Sequence, residues 1–390
     1  MFDPNRKRLL ALDGGGIMGC ITLRILARIE RDLREATGNS NLLLRDFFDY
    51  IGGTSTGAII AAGLAIGKSV EEVSELYRRD GAAMFTKAPL LDRVRHRYEA
   101  RQLGASLKSE FGEGSIHALM QDGSLLNDRH LLIVTRNVNT DSPWPISTNP
   151  KARFNDLTRP DCNLQIPLWQ LVRASTAAPT YFEPERLQWN PGDPESAFYF
   201  EDGGVTPYNN PAFLLYRMAT LPEYQCGWPD GEDRMMLVSI GTGTRFRVLD
   251  DINPRGQHLI GAALTTPSVL MRGIAVEVDI CCRQIGRCVH GVEIDLELDG
   301  MMNYFDEELG AMERSAAEAE RKAFLYARYD PDISPEGLVA LGLKDIDADK
   351  LAMDNVAMID DLFRIGEAVA QSQVDFPGPF AAFLEQGTAS

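Results

Sequence analysis

At positions 53–57 the chain reads Gly53-Thr54-Ser55-Thr56-Gly57, between an apolar run and a segment of small residues. The pattern GxSxG between a strand and a helix is typical of a nucleophile elbow, in which the serine occupies a sharp turn. We predict a short buried strand over 47–51 and a helix that starts at Ala58. The turn strains the serine backbone, so we expect the flanking glycines to be needed for close packing.

A second glycine-rich stretch follows an apolar strand over 8–12 and precedes an amphipathic helix. It reads Asp13-Gly14-Gly15-Gly16-Ile17-Met18-Gly19, and three of its glycines match the dinucleotide fingerprint GxGxxG. Against that interpretation, Asp13 would place a carboxylate beside the pyrophosphate. A phosphate-binding P-loop is disfavoured because no Lys-Ser/Thr pair follows the glycines. An oxyanion hole is favoured instead, since successive glycine amides then point into the small volume that Ser55 needs.

Composition excludes some classes of function. The chain has 390 residues, 44% of them hydrophobic, and a net charge of −17, which disfavours nucleic-acid binding because that depends on neutralising phosphates. The same charge disfavours unaided binding to anionic membranes. We find no secretory signal and no apolar run of about 18 residues. Six cysteines without a regular framework favour reduced thiols, so we expect a soluble cytoplasmic protein.

Strands alternate with helices up to about residue 245, which predicts a mainly parallel sheet covered on both faces. One of these strands, over 197–201, ends at Asp202-Gly203-Gly204. A carboxylate at the C-terminal edge of a strand is where open α/β folds place their chemistry, although an aspartate in a hairpin turn is the commoner alternative. We predict a catalytic α/β domain over 8–245 and a mainly helical C-terminal extension over 246–390 that packs on it.

A Ser–acid–His triad is not favoured, because no histidine lies in an obvious loop after a strand. The histidines are His96, His117, His130, His258 and His290. His290, between two nearby glycines, stays open as an alternative. A zinc cluster stays open as well, although its spacing fits no familiar site. Its ligands would be Cys281, Cys282, Cys288 and His290. Our main expectation is that the protein uses neither a metal nor a cofactor.

These residues together resemble the patatin-like phospholipase family. Four blocks in the family's order carry the resemblance: the glycine loop 13–19, the elbow 53–57, Ala174-Ser175-Thr176-Ala177-Ala178-Pro179-Thr180-Tyr181-Phe182, and Asp202-Gly203-Gly204. The resemblance implies a three-layer α/β/α fold with added C-terminal helices. It also implies a Ser-Asp dyad without histidine, in which Ser55 attacks a lipid ester and Asp202 acts as its base. The predicted oxyanion donors are Gly14, Gly15 and Gly16.

One position departs from the family pattern, since Met18 stands where the family usually carries Arg or Lys. This puts a contact with the lipid headgroup in doubt, whereas the backbone donors do not depend on it. The implied activity is that of a serine hydrolase acting on phospholipid or related esters, with transient contact to a membrane surface. An apolar helix over 259–270 is a candidate for that contact, and buried packing is the alternative.

The resemblance also implies a second function. Some bacterial members with similar architecture are phospholipase effectors that stay silent until a cyclic nucleotide binds, and they serve in antiphage defence. The basic stretch from Lys87 to Lys108 leaves room for a small anionic activator, although a solvated helix face is the simpler interpretation. Its other basic residues are Arg93, Arg95, Arg97 and Arg101. Assembly as a homodimer is left open.

Overall fold

The computed structural model describes residues 2–84, 100–190, 192–245, 259–292, 294 and 321–384. Within these ranges nine strands form one sheet with helices on both of its faces. The strands are β1 Lys7–Leu12, β2 Tyr50–Thr54, β3 His130–Asn137, β4 Ser142–Ser147, β5 Glu185–Gln188, β6 Ala197–Asp202, β7 Met235–Ile240, β8 Arg287–His290 and β9 Leu325–Tyr329. The α-helices are α1 Gly19–Thr37, α2 Leu44–Phe47, α3 Thr56–Ala65, α4 Val70–Met84, α5 Ala100–Phe111, α6 Ile116–Gln121, α7 Leu168–Ser175, α8 Ala212–Thr220, α9 Leu259–Ile285, α10 Pro335–Ala340 and α11 Ile359–Gln373.

The sheet is mainly parallel, as predicted. Hydrogen-bonded neighbours follow the order β5-β6-β3-β2-β1-β7-β9-β8, and β4 also pairs with β3. All pairs from β3 through β2, β1, β7 and β9 to β8 are parallel, whereas β4, β5 and β6 join antiparallel. The carboxyl ends of the parallel strands therefore meet at one edge of the sheet, where loops that bind ligands are expected.

Strand β3 brings two distant parts of the chain together. Along one edge it pairs with β4, and this pairing covers both Val134 and Thr135. Along its other edge, Val134 pairs with Thr54 at the end of β2, and Thr135 pairs with Asp202 at the end of β6. Since a strand has only two edges, β2 and β6 must share this one and meet end to end.

The helices cover the sheet because β1 is apolar on both faces. Leu10 and Leu12 pack into a core with α1 and α11, whereas Leu9 and Ala11 pack into a second core with α8 and α9. This alternation is the consequence of successive strand residues pointing to opposite faces. The predicted three-layer α/β/α architecture is therefore confirmed.

Two differences from the sequence-based expectations concern local boundaries. The strand predicted over 47–51 begins only at Tyr50, because Phe47 closes the short helix α2, whose first turn is stabilised by Asp46 accepting from the amide of Leu43. The segment after residue 245 also contributes β8 and β9 to the central sheet. The domain division at residue 245 thus stays a prediction. None of the helices in the described ranges is both long and apolar enough to span a membrane.

Candidate active site

Ser55 lies on a strained turn between β2 and α3. Its backbone has φ 54° and ψ −120°, a combination that is unfavourable for a residue with a side chain. A β-carbon at Gly53 would overlap the carbonyl oxygen of Gly57, and one at Gly57 would overlap the carbonyl oxygen of Leu12. The predicted elbow is therefore present, and its glycines are required because backbone segments approach each other there.

Asp202 lies beside the serine. The hydroxyl of Ser55 donates a hydrogen bond of 2.6 Å to Oδ2 of Asp202, and the amide of Gly204 donates one of 2.7 Å to Oδ1. The carboxyl group is only 5% exposed. Burial raises the pKa of Asp202 to about 6, although both hydrogen bonds act in the opposite direction. At neutral pH the group is thus ionised but binds a proton far more readily than an ordinary aspartate.

Ser175, at the end of α7, holds the elbow in place. Its hydroxyl accepts a 3.0 Å hydrogen bond from the amide of Ser55 and donates one of 2.7 Å to the carbonyl oxygen of Val134 on β3. The small residues at the end of α7 allow this close approach. The particular role of Ser175 depends on a contact across 120 residues, so local pattern could not reveal it.

The glycine loop supplies fewer free amides than expected. Gly15 and Gly16 line the cavity at Ser55, and neither donates its amide to another residue in the described ranges. Gly14 differs, because its amide donates a 3.0 Å hydrogen bond to the carbonyl oxygen of Asn209. In this conformation Gly14 therefore serves as a packing residue, and two of the three predicted oxyanion donors remain available.

Residues that are distant in sequence pack closely against the glycine loop. A β-carbon at Gly15 would overlap the hydroxyl of Thr242, and one at Gly16 would overlap the carbonyl oxygen of Met353. The amide of Ile17 donates a 2.9 Å hydrogen bond to that same oxygen of Met353. Gly16 has φ 59°, which only glycine adopts without strain. The shape of the loop thus depends on segments that follow β7.

A cavity of about 300 Å³ opens at Ser55 and Asp202. Its lining is mostly apolar and comes from several helices. The apolar side chains include Ile59, Tyr77, Met84, Leu103, Phe182 and Met271. Val269 and Leu270, next to the last of these in α9, are 66% and 59% exposed. Met18 is buried in the core. An apolar chain with an ester at its end suits such a cavity.

The histidines take no part in this site as far as the chain is described. His117, His130 and His290 do not line the cavity, and positions 96 and 258 lie outside the described residues. His130 stacks on Trp228, and burial lowers its pKa to about 4. His290 stacks on Tyr329, and burial lowers its pKa as well. Neither ring contacts Ser55.

The remaining candidate groups are dispersed. No three potential metal ligands gather anywhere in the part of the chain that the structure covers, and Cys282, a residue of α9, is buried in the second core. Most of the basic stretch from Lys87 falls on positions 85–99, outside the described residues. Its last member, Lys108 on α5, forms an ion pair of 2.7 Å with Glu113. An anion site there stays a prediction.

Comparisons with known proteins identify the family and several relatives of this chain. Residues 10–216 match the family model described as patatin-like phospholipase. The chain is 36% identical over 215 residues to a "cGAMP-activated phospholipase" of Vibrio cholerae, a match that covers 54% of this chain and 57% of the relative. A protein of the same description from Escherichia coli is 33% identical over 221 residues, covering 54% and 55%. Patatin-17 of Solanum cardiophyllum is 28% identical over 250 residues, covering 60% of each. The matches thus span little more than half of the relatives' length.

Proposed function

The chain belongs to the patatin-like phospholipase family, and we propose that it hydrolyses carboxylic esters of membrane lipids through a dyad of Ser55 and Asp202. One observation carries this proposal: the 2.6 Å hydrogen bond from the serine hydroxyl to a buried carboxylate at the wall of an apolar cavity. A nucleophile within hydrogen-bond reach of its base is the arrangement that covalent catalysis requires.

The reaction proceeds in two halves. In the first, Asp202 takes the hydroxyl proton of Ser55 while the serine oxygen attacks the ester carbonyl, and the tetrahedral intermediate then expels the lysolipid alcohol, which receives that proton. In the second, Asp202 takes a proton from water, and the resulting hydroxide attacks the acyl-serine. Collapse of this intermediate releases the fatty acid and returns the proton to Ser55. A base with a pKa of about 6 is suited to both steps at neutral pH.

The amides of Gly15 and Gly16 stabilise the oxyanion that forms in each half. One such donor contributes roughly 3 kcal/mol to lowering the barrier. Ser55 also precedes the first turn of α3, where the helix dipole favours negative charge. Both contributions come from backbone groups, so they do not require a cation at the position of Met18.

The cavity lining supports an acyl chain as the part of the substrate that is bound. The exposed side chains of Val269 and Leu270 adjoin Met271, which lines the cavity, so they lie where a lipid would enter. We therefore propose that this end of α9 contacts the membrane surface transiently. The headgroup has no charged partner at Met18, which is buried, and headgroup selectivity is expected to be weak there.

The test is a lipid-class screen with vesicles that compares wild type with Ser55→Ala and Asp202→Asn. Each substitution should lower hydrolysis by roughly a thousandfold or more, since the members of such a unit act together. The exposed Ser372→Ala and Asp345→Asn are matched controls that should hydrolyse like wild type. Hydrolysis by Ser55→Ala at the wild-type rate would contradict the dyad. A loss of hydrolysis in His290→Ala as large as that in Ser55→Ala would contradict it as well.

A second candidate function is gating by a nucleotide. It is favoured by the relatives of Vibrio cholerae and Escherichia coli, both named cGAMP-activated phospholipases. We propose that this chain is an effector whose lipase activity is absent until a cyclic nucleotide binds, and that it acts in defence against phage. Hydrolysis should then be low alone and rise on addition of cGAMP. Activity that is already high and that cGAMP does not change would count against gating.

A further inference from the structure

A second cavity, of about 410 Å³, lies beside the antiparallel part of the sheet. It shares no lining residue with the cavity at Ser55. Strands β4 and β6 and the segment between β4 and α7 contribute to its walls. Five aromatic side chains are part of the lining, namely Trp144, Phe154, Trp189, Phe198 and Tyr224.

Three of these rings are arranged around one another with open space beside them. The centroid of Trp144 lies 6.0 Å from that of Trp189 and 5.5 Å from that of Phe198, and the other two centroids are 6.0 Å apart. All three ring pairs are tilted or edge-on, and the buried Phe200 packs against Trp144 and Trp189 with centroids 5.4 Å and 6.0 Å away. Trp144, Trp189 and Phe198 are each only partly buried and line the cavity, so part of each ring is open to a planar group. Aromatic rings in this arrangement are the surfaces on which nucleobases stack.

The lining also contains an acceptor without a donor. Asn155 is buried, and its Nδ2 donates to the carbonyl oxygens of Ser147 and Asn149 at 2.7 Å and 2.6 Å, which establishes the orientation of the amide. Its Oδ1 has no hydrogen-bond partner within the described ranges. An unsatisfied buried acceptor is unfavourable. Asn155 is thus a polar residue in a lining that is otherwise mostly apolar.

The mouth of the cavity carries a cation. Phe154 is 48% exposed, and the guanidinium groups of Arg153 and Arg159 lie 5.6 Å and 5.2 Å from its ring centroid. Arg159 is bound by Asp161 through two contacts of 2.8 Å, so these two charges cancel. Arg153 has no carboxylate partner among the described residues. Glu223, the other acidic group of the lining, is exposed to solvent.

We propose that this cavity binds a nucleotide, with the base against Trp144, Trp189 and Phe198 and a phosphate at Arg153. Arginine is suited to the phosphate because its planar fork donates to two oxygens at once and tolerates an aromatic neighbour. The volume is in the range of small-molecule sites. Binding to the cavity does not depend on the function proposed above.

Strand β6 connects the cavity to the catalytic pair. Phe198, Phe200 and Asp202 alternate along it and face one side, so the strand that forms a wall of the cavity also carries the carboxylate. On the neighbouring strand, Thr135 is the register partner of Asp202, and its hydroxyl donates to the carbonyl of Trp144 at 3.0 Å. A ligand bound at these rings therefore affects the position of Asp202. We expect the change in position to alter hydrolysis, and this expectation rests on the proposed function.

The first experiment measures binding by calorimetry with the full chain, using AMP, GMP and cGAMP as probes. Arg153→Ala removes the proposed phosphate partner, and Phe154→Ala removes the ring over which that guanidinium lies. Both variants alter exposed side chains and should fold, and each should weaken binding roughly tenfold or more. Arg31→Ala and Val339→Ala are matched controls at exposed positions outside the cavity and should bind like wild type. Absence of binding by all probes, or equal binding by all variants, would overturn the proposal.

The second experiment measures vesicle hydrolysis by the same proteins with and without the bound probe. Stimulation that is reduced in Arg153→Ala and Phe154→Ala but kept in both controls supports the coupling through β6. Stimulation that is equal in all four variants overturns the assignment of this cavity. Binding that depends on Arg153 and Phe154 in a protein without any hydrolysis supports the nucleotide site and contradicts the proposed enzymatic function, so the two failures are distinguishable.

Discussion

Arg328 on β9 donates two hydrogen bonds to the carboxylate of Asp13, at 2.9 Å and 2.6 Å, across 315 residues of sequence. Both side chains are buried. The same guanidinium also donates to Ser239 at 2.7 Å and to Asp330 at 2.9 Å. Since Asp13 directly precedes Gly14, this ion pair attaches the start of the glycine loop to a strand that lies beyond residues 10–216, the range matched by the family.

Replacing Arg328 should therefore affect both stability and hydrolysis. Arg328→Met leaves the carboxylate of Asp13 buried without its partner, which costs about 3–5 kcal/mol in the free energy of unfolding. Denaturant titration measures this loss. The double variant Asp13→Asn/Arg328→Met should regain part of it, because the more deeply buried of the two carboxylates that contact Arg328 is then neutral. Arg31→Met, at an exposed position, is the control. If Arg328→Met were as stable as wild type, the ion pair of Arg328 with Asp13 would not be what anchors the glycine loop.

The pH dependence of hydrolysis should follow Asp202. The base is active when ionised, and burial raises its pKa to about 6, so kcat/KM should increase as the pH rises through 6. At pH 5 only about a tenth of the protein has Asp202 ionised, so the rate should be about a tenth of its plateau value. A profile measured on one lipid at constant ionic strength tests this. A rate that is flat from pH 5 to 8 would exclude Asp202 as a base with this pKa.

Asp202→Asn should make the protein more stable while it removes activity. The folded carboxyl keeps its proton up to about pH 6 and the unfolded one only to about 3.8, so raising the pH through that window favours the unfolded state. Above pH 6 the wild type thus loses about 3 kcal/mol, which the neutral amide avoids. Unfolding at pH 8 and at pH 3.5 measures the difference, which should be present at the first and absent at the second. Equal stabilities at pH 8 would contradict a raised pKa.

Ser175→Ala should lower kcat without changing KM. The substitution removes the acceptor for the amide of Ser55 and the donor to Val134, so the elbow loses its attachment to β3. Leaving these buried groups unpaired costs about 1–3 kcal/mol in stability. Ser175 does not line the cavity, so binding of the acyl chain should be unaffected. Steady-state kinetics beside the control Ser372→Ala measures both parameters. A rise in KM with unchanged kcat would assign Ser175 to substrate binding instead.

Several features of the site follow from local sequence, and others do not. The glycines at 53 and 57 were predictable from a short pattern, and the start of α3 was predicted at Ala58, two residues after its observed start at Thr56, since both features depend on the sterics of a few neighbouring residues. The amide of Gly14 was predicted as an oxyanion donor, but it donates to Asn209, 195 residues away. A partner at that distance leaves no periodic or compositional signal.

The same distinction applies to the catalytic pair. The strand and turn around Ser55, and a carboxylate at the end of a strand at Asp202, can be read from residue types, because strand ends and tight turns select for glycine and polar groups. Their meeting across 147 residues depends on β2 and β6 sharing one edge of β3. Interstrand register is set by non-local hydrogen bonds and packing, and a shift of one residue would turn Asp202 to the other face of the sheet. The residue types of Ser55 and Asp202 are therefore predictable from local sequence, whereas the contact between them depends on the assembled sheet.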